Sequence, residues 1–122
     1  MKNEPFSFSK RIKSFSFASQ GFVAFLQKEH NAWLHFMASV AVITLGFLLA
    51  ISKMEWIAIS IVIGLVWIAE MFNTCIEAIL DFISPGQHPQ VKFIKDVAAG
   101  AVLVAAAVAL VTGLLIFIPH IY

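Results

Sequence analysis

The hydrophobic residues of this chain fall into three long runs that are separated by short polar links. The runs are Ala32–Ile51, a second run that begins at Trp56, and Val97–Pro119. Each is close to the roughly 20 residues that a helix needs to cross the hydrocarbon core of a bilayer. The pattern therefore predicts three transmembrane helices, at residues 30–51, 55–83 and 91–118.

A shorter apolar periodicity precedes the first run. Apolar residues recur there at intervals of three or four, which places them on one helical face: Phe8, Ile12, Phe15, Ala18, Phe22 and Phe25. The segment has no continuous apolar core of the kind that a signal peptide requires. We expect a retained helix at about residues 6–28 that lies on the membrane surface, with its basic residues towards the lipid headgroups.

Lysine and arginine are unevenly distributed among the polar segments. One follows the first predicted span, two follow the second, none follows the third, and five precede all three: Lys2, Lys10, Arg11, Lys13 and Lys28. Because cytoplasmic loops are enriched in these residues, the distribution predicts a cytoplasmic amino terminus. The link between the second and third spans then lies on the same side, and Pro85, Gly86 and Pro89 mark it as a turn.

The composition agrees with an integral membrane protein. Of the 122 residues, 61% are hydrophobic and 12% are charged, whereas ordinary soluble domains are roughly 25% charged. We expect one all-α membrane domain over residues 1–122. The net charge of +1 provides no field that attracts nucleic acid, so no nucleic-acid partner is expected. The single cysteine, Cys75, excludes an intrachain disulfide.

Polar residues return at helical spacing in the inner half of the second span. We call four of them the polar stripe: Glu70, Asn73, Glu77 and Asp81. At about 100° of rotation per residue, their side chains fall within about 80° on one face of a helix. At about 1.5 Å of rise per residue, the stripe extends about 16 Å, from the membrane interior towards the cytoplasmic interface.

Carboxylates inside a bilayer need an explanation, because each costs about 2.5 to 3.5 kcal/mol on insertion scales and aligned acids repel each other. For Asp81, helix-packing hydrogen bonds or a solvated helix end explain the residue as well as a function does. For Glu70 and Glu77 we favour a function. Carboxylate oxygens suit Mg²⁺, which completes its coordination with water and substrate phosphates, so this pair points to a nucleotide.

The start of the third span supplies positive charge on the same side of the membrane. Lys92 and Lys95 precede the span, Asp96 follows them, and His88 lies in the turn. Lys95 can meet a phosphate or, as lysines at span ends commonly do, extend towards lipid headgroups. Neither glycine-rich phosphate cradle, G-x-x-x-x-G-K-[ST] or G-x-G-x-x-G, occurs in the chain. Charged side chains would therefore have to take its place.

The spacing of these polar residues resembles that of a known family. Glu70-x-x-Asn73-Thr74-x-Ile76-Glu77-x-x-x-Asp81, then His88, then Lys95-Asp96-x-Ala98-Ala99-Gly100-Ala101-Val102 is similar to the signature of the prokaryotic diacylglycerol kinase and undecaprenol kinase family. The resemblance covers nearly the whole chain. It implies a homotrimer of three-span subunits, with active sites at subunit boundaries, that transfers the γ-phosphoryl group of ATP to the hydroxyl of a membrane lipid alcohol.

The resemblance also implies roles for individual residues. Glu70 would be the catalytic base that contacts the lipid hydroxyl, Ala99 would contact the lipid, and Glu29 and Glu77 would be the Mg²⁺ ligands. The implied ATP-binding residues are Lys10, Phe17, Glu29, Asn73, Glu77, Gly86, Gln87, His88, Lys95 and Asp96. Lys10 stands where the family has an arginine, and Phe17 where a hydroxylated aromatic residue can occur.

Assembly of several subunits is expected on physical grounds as well. Three helices offer only a shallow groove, and association would cover the polar stripe and bring Glu29 towards Glu77. The predicted function is an ATP- and Mg²⁺-dependent lipid kinase of the bacterial inner or plasma membrane. It would act on undecaprenol or diacylglycerol, in lipid recycling for phospholipid or cell-envelope biosynthesis. The alternative is a small oligomeric transporter or scaffold with intramembrane carboxylates, which explains the acids but not the inner lysines.

Overall fold

The computed structural model describes residues 5–122, and these residues form four α-helices. The helices are α1 (Phe8–Lys28), α2 (His30–Leu48), α3 (Lys53–Ile83) and α4 (Pro89–Ile121). The chain divides into two compact units, of which the first ends at Trp33 and the second is Leu34–Tyr122. Lys2, one of the basic residues counted above, lies outside the described residues.

In the first unit, α1 is defined by polar groups at both ends. The hydroxyl of Ser7 accepts a hydrogen bond from the backbone N–H of Lys10 at 3.4 Å, which caps the amino terminus. At the other end, the backbone N–H of Glu29 donates to the carbonyl of Phe25 at 3.0 Å. Phe25 is buried, whereas Phe8 is exposed.

In the second unit, a tight turn joins α2 to α3. Ala50 adopts a φ of 52° in this turn, a conformation that costs an alanine about 1 to 2 kcal/mol. Ser52 and Glu55 then form a reciprocal capping box, because Glu55 N–H donates to the Ser52 hydroxyl at 3.2 Å and Ser52 N–H donates to Glu55 Oε1 at 2.8 Å. The turn ends α2 at Leu48, before the predicted residue 51, and the capping box starts α3 at Lys53.

α3 and α4 are the long helices of the second unit, with 31 and 33 residues, and they pack against each other. His88 caps α4, because its Nδ1 accepts a hydrogen bond from Gln90 N–H at 3.1 Å. Pro89 occupies the first turn of α4, where a proline needs no hydrogen-bond donor. At the far end α4 continues through Pro119 to Ile121, three residues beyond the predicted end at 118.

The apolar core of the second unit lies where α2 turns into α3 and α4 ends. Its buried members are Ile51, Ile59, Ile116 and Phe117. A polar contact joins the same ends of α3 and α4, since His120 Nε2 lies 2.9 Å from Glu55 Oε1. The polar stripe is at the opposite end of α3, so the chain separates its packed core from its acidic residues.

Three of the four described helices are long and apolar enough to cross a membrane: His30–Leu48, Lys53–Ile83 and Pro89–Ile121. Most of their large apolar side chains are exposed rather than packed inside the chain. Such surfaces are compatible with lipid and not with water. The expected fold class, an all-α membrane protein with three spans, is confirmed.

Candidate active site

α3 is unbroken through the polar stripe, so its four residues lie on one continuous helix. Burial decreases along the stripe: Glu70 is 4% exposed, Asn73 is half-buried, and Glu77 and Asp81 are exposed. Hiding a carboxylate costs free energy unless a partner compensates it. Glu70 is the member of the stripe whose burial demands such a partner.

Glu70 has its partner on α2. The Nε2 atom of His35 lies 3.3 Å from Glu70 Oε2, and the imidazole is itself half-buried. An ionised carboxylate only accepts hydrogen bonds, so Nε2 of a neutral His35 must carry the proton in this contact. The buried acid of α3 is thus paired with a histidine of the preceding helix.

A second polar contact joins α2 to α3 beside the first. Trp67 Nε1–H donates to the hydroxyl of Ser39 at 3.0 Å. The same hydroxyl donates to the backbone carbonyl of His35 at 2.7 Å. The indole of Trp67 and the imidazole of His35 are also neighbours, with ring centroids 6.5 Å apart. Two adjacent turns of α2 are therefore tied to the turn of α3 that carries Glu70.

One turn further along α3, Asn73 and Glu77 form a pair. Asn73 Nδ2 donates to Glu77 Oε1 at 2.7 Å. The amide oxygen of Asn73, Oδ1, is buried and has no hydrogen-bond partner among residues 5–122. A buried acceptor without a partner costs about 1 to 3 kcal/mol. Together with the Glu77 carboxylate, it presents hard oxygen ligands at this point of the stripe.

The exposed end of the stripe is paired with the start of α4. Lys95 Nζ lies 2.6 Å from Asp81 Oδ1, an ion pair between the two helices. Lys92 and Asp96 form a second pair, one turn apart on α4, in which both side chains are largely exposed. Exposed ion pairs of this kind contribute only about 0 to 1 kcal/mol, so Lys95 remains available to a stronger anion.

A surface cavity of about 800 Å³ opens at the start of α4. We call it the α4 cavity, and its lining residues are Pro85, Gly86, Gln87, His88, Pro89, Val91, Lys92, Lys95 and Asp96. Its volume lies within the roughly 300 to 1,000 Å³ of small-molecule sites. The cavity lies at the amino terminus of α4, where the positive end of the helix dipole favours anions.

The α4 cavity brings together five of the ten residues expected to bind ATP: Gly86, Gln87, His88, Lys95 and Asp96. Asn73 and Glu77 lie on the neighbouring α3. Lys10, Phe17 and Glu29 belong to the first unit, in which Lys10 and Phe17 are exposed and Glu29 is half-buried at the end of α1. Ala99, the residue expected to contact lipid, is exposed on α4.

The oxygen ligands on α3 suit the expected metal ion. Mg²⁺ is bound in proteins by one or two carboxylates and otherwise by water and phosphate oxygens. Glu77, with the unpartnered amide oxygen of Asn73 next to it, provides such a donor set. No group of three or more His, Cys, Asp and Glu side chains in the described part of the chain could hold a metal ion.

Comparison with known proteins identifies the family. The model of a family described as prokaryotic diacylglycerol kinase matches residues 16–117. The chain belongs to this family. The match includes the whole polar stripe and the α4 cavity, and membership makes the protein a membrane lipid kinase that uses ATP as co-substrate. It favours the kinase interpretation over the transporter.

Curated relatives of this family kinase include one undecaprenol kinase and two diacylglycerol kinases. An undecaprenol kinase of Bacillus subtilis is 42% identical over 108 residues, which cover 88% of each chain. A diacylglycerol kinase of Synechocystis is 34% identical over 109 residues, 88% of this chain and 62% of the relative. A diacylglycerol kinase of Pseudomonas aeruginosa is 34% identical over 104 residues, 84% of this chain and 85% of the relative.

Sequence reasoning missed the contacts that link one helix of this kinase to another. It assigned no partner to His35, and it left Asp81 undecided, although the structure pairs Asp81 with Lys95. One signal was present: a buried acid in a membrane span requires a polar partner at its own depth on a neighbouring helix. His35 is a polar residue placed within the first apolar run.

Proposed function

We propose that this protein transfers the γ-phosphoryl group of ATP to the terminal hydroxyl of undecaprenol, with diacylglycerol as the alternative acceptor. The observation that carries the proposal is the α4 cavity, which gathers cationic and polar side chains at a helix amino terminus beside the acids of α3. Undecaprenol is favoured because the undecaprenol kinase of Bacillus subtilis is 42% identical, whereas the two diacylglycerol kinases are 34% identical. The reaction would serve lipid recycling for cell-envelope or phospholipid biosynthesis.

The α4 cavity holds the polyphosphate of ATP in this proposal. Lys95 leaves Asp81 and binds phosphate oxygens, since a triphosphate carries more charge than one exposed carboxylate. Asp96 and residues 86–88 hold the remainder of the nucleotide. Lys10 and Phe17 of α1 complete the ATP site, in which Lys10 supplies positive charge from the membrane surface.

Glu77 and Glu29 are the proposed Mg²⁺ ligands, and the amide oxygen of Asn73 supports Glu77. When bound, the metal ion neutralises phosphate oxygens of ATP. Glu77 is exposed and Asn73 donates to only one of its two carboxylate oxygens, so the other is available for coordination. These properties support the assignment.

Glu70 is the proposed catalytic base. The lipid hydroxyl oxygen forms a bond to the γ-phosphorus, the bond between that phosphorus and the bridging oxygen of ADP breaks, and the hydroxyl proton passes to the Glu70 carboxylate. Glu70 suits this role because it is buried in a membrane span, which keeps bulk water away from its carboxylate. Ala99, a small exposed residue of α4, leaves room for the lipid.

The working enzyme is a homotrimer with its amino terminus in the cytoplasm. The polar stripe supports assembly, because its exposed part would otherwise face lipid. The orientation follows from the lysine and arginine distribution, and it places the α4 cavity on the side where ATP is found.

Phosphorylation of defined lipids by the purified protein in mixed micelles tests the proposal. The assay supplies labelled ATP and Mg²⁺ with undecaprenol or diacylglycerol in separate reactions. We expect labelled undecaprenyl phosphate, faster than labelled phosphatidate, and no product when the metal is chelated. Glu70→Gln should bind ATP and assemble normally yet lose turnover by about 10² to 10⁴-fold. Label in neither lipid would contradict the kinase assignment, and full turnover by Glu70→Gln would remove Glu70 as the base.

A further inference from the structure

The contact between His35 and Glu70 joins two spans at the point where the proposed function places its base. Glu70 is 4% exposed, and the contact to His35 Nε2 at 3.3 Å satisfies its Oε2 atom. A glutamate side chain has three rotatable bonds, and burial alone does not choose among its rotamers. A directional hydrogen bond from a neighbouring helix selects one rotamer, because it fixes the direction of one carboxylate oxygen.

A second contact between α2 and α3 lies beside the His35 ring. The ring packs near the indole of Trp67, and the backbone carbonyl of His35 accepts from Ser39, whose hydroxyl also accepts from Trp67 Nε1–H. This chain of contacts starts and ends within one turn of α3. It involves the backbone carbonyl and not the imidazole nitrogens of His35, so it is separate from the Nε2 contact to Glu70.

We propose that His35 is a positioning residue for the phosphoryl-transfer reaction: its Nε2–H holds the Glu70 carboxylate so that the other oxygen, Oε1, receives the proton of the lipid hydroxyl. The inference rests on the proposed function of Glu70. In this arrangement His35 acts through Glu70 and transfers no proton itself, because Nε2–H is the donor to an ionised carboxylate. The arrangement follows a general design in which a base is oriented by a third group.

Two amide substitutions of His35 test the role of its hydrogen-bond donor separately from that of the rest of the side chain. Glutamine places an amide N–H at about the reach of the imidazole Nε2, whereas the asparagine amide is one methylene shorter and falls short of Glu70 Oε2. Both replacements are polar amides that differ by one methylene group. We expect His35→Gln to keep kcat within about threefold of the unmodified protein and His35→Asn to lose about 10²-fold, the usual effect of misplacing a catalytic group by about 1 Å.

KM distinguishes positioning from damage to the binding sites. The loss in His35→Asn should appear in kcat, with KM for ATP and for the lipid within about twofold, because the proposed ATP contacts lie elsewhere. Ser39→Ala is the matched control, since it removes the parallel contact to Trp67 and leaves the Glu70 contact in place. Its kcat should stay within about threefold. Gel filtration checks that every variant assembles like the unmodified protein.

The outcomes separate this inference from the proposed function. If Glu70→Gln is inactive while His35→Asn and His35→Gln have equal kcat, Glu70 keeps its role and the positioning role of His35 is wrong. If Ser39→Ala loses as much kcat as His35→Asn, the contact between α2 and α3 matters rather than the imidazole, and the inference is again wrong. If Glu70→Gln is fully active, the proposed base itself fails.

Discussion

Gly46 in α2 is the glycine of the described chain at which an added methyl group meets the closest neighbours. A Cβ atom there would lie 2.7 and 2.9 Å from two ring carbons of Trp56 and 3.1 Å from Cδ1 of Ile51, whereas carbon atoms pack at about 3.5 to 4.0 Å. The ring cannot simply rotate away, because Trp56 also packs against Phe47 with centroids 4.8 Å apart. Gly46→Ala must therefore displace part of the core.

The expected cost can be worked from two opposing effects. Inserting a methyl group into a packed core costs about 1 to 3 kcal/mol. Replacing glycine by alanine inside a helix returns up to about 1 kcal/mol, and less here because α2 ends at Leu48. We expect Gly46→Ala to destabilise the protein by about 1 to 2 kcal/mol. The measurement is unfolding by SDS in mixed micelles, followed by tryptophan fluorescence.

Two controls make this prediction sharp. Gly64→Ala adds the same methyl group to α3, where nothing beyond the helix's own backbone lies within 4 Å of the new Cβ in the described part of the chain, so stability should be unchanged or higher. Gly46→Ala should cost less in a Trp56→Leu background than in the unmodified protein, because the ring that blocks the methyl group is gone. A Gly46→Ala protein as stable as the unmodified one would refute the close contact with Trp56.

Two further predictions concern the ends of the long helices. Lys95→Met should lower kcat/KM for ATP by about 10- to 100-fold, since a hydrogen bond to a charged group contributes about 1.5 to 3 kcal/mol. Lys92→Met, at a side chain that is 77% exposed, should change kcat/KM by less than about threefold. Equal effects of the two substitutions in steady-state kinetics would argue against a specific role for Lys95. Glu55→Gln weakens the contact to His120, at the end of α3 that is remote from the polar stripe. It should lower the unfolding free energy by about 0.5 to 1.5 kcal/mol, while kcat stays within about twofold. A large loss of kcat would show that this end of the helix takes part in catalysis.

The fold was largely predictable because its signals are local. Three apolar runs and their lengths predicted three spans, and the polar stripe followed from helical geometry. The end of α2 was not predictable in the same way, because it depends on Ala50 adopting a positive φ that alanine rarely takes. That conformation is favoured by packing in the turn and not by the residue itself.

The candidate site was predictable only as a set of residue types. Hydropathy gives the depth of each helix residue but not the rotation of one helix against another, so the pairing of Glu70 with His35 and of Asp81 with Lys95 needed coordinates. The pairing of Glu29 with Glu77 could not be predicted for another reason. We propose that these two Mg²⁺ ligands meet at a boundary between subunits. Neither hydropathy nor motif spacing in one chain determines such a boundary.

The length of α3 has a consequence for where the reaction can take place. Its 31 residues extend about 46 Å, whereas a bilayer core is about 30 Å thick. The acids of α3 stay at a fixed distance from the opposite, capped end of the helix. The depth of a lipid hydroxyl, in contrast, follows the plane of the headgroups. A thicker or thinner membrane therefore changes the depth of the lipid hydroxyl relative to the acids of α3. Turnover in vesicles should be highest at one acyl-chain length and lower with shorter or longer chains.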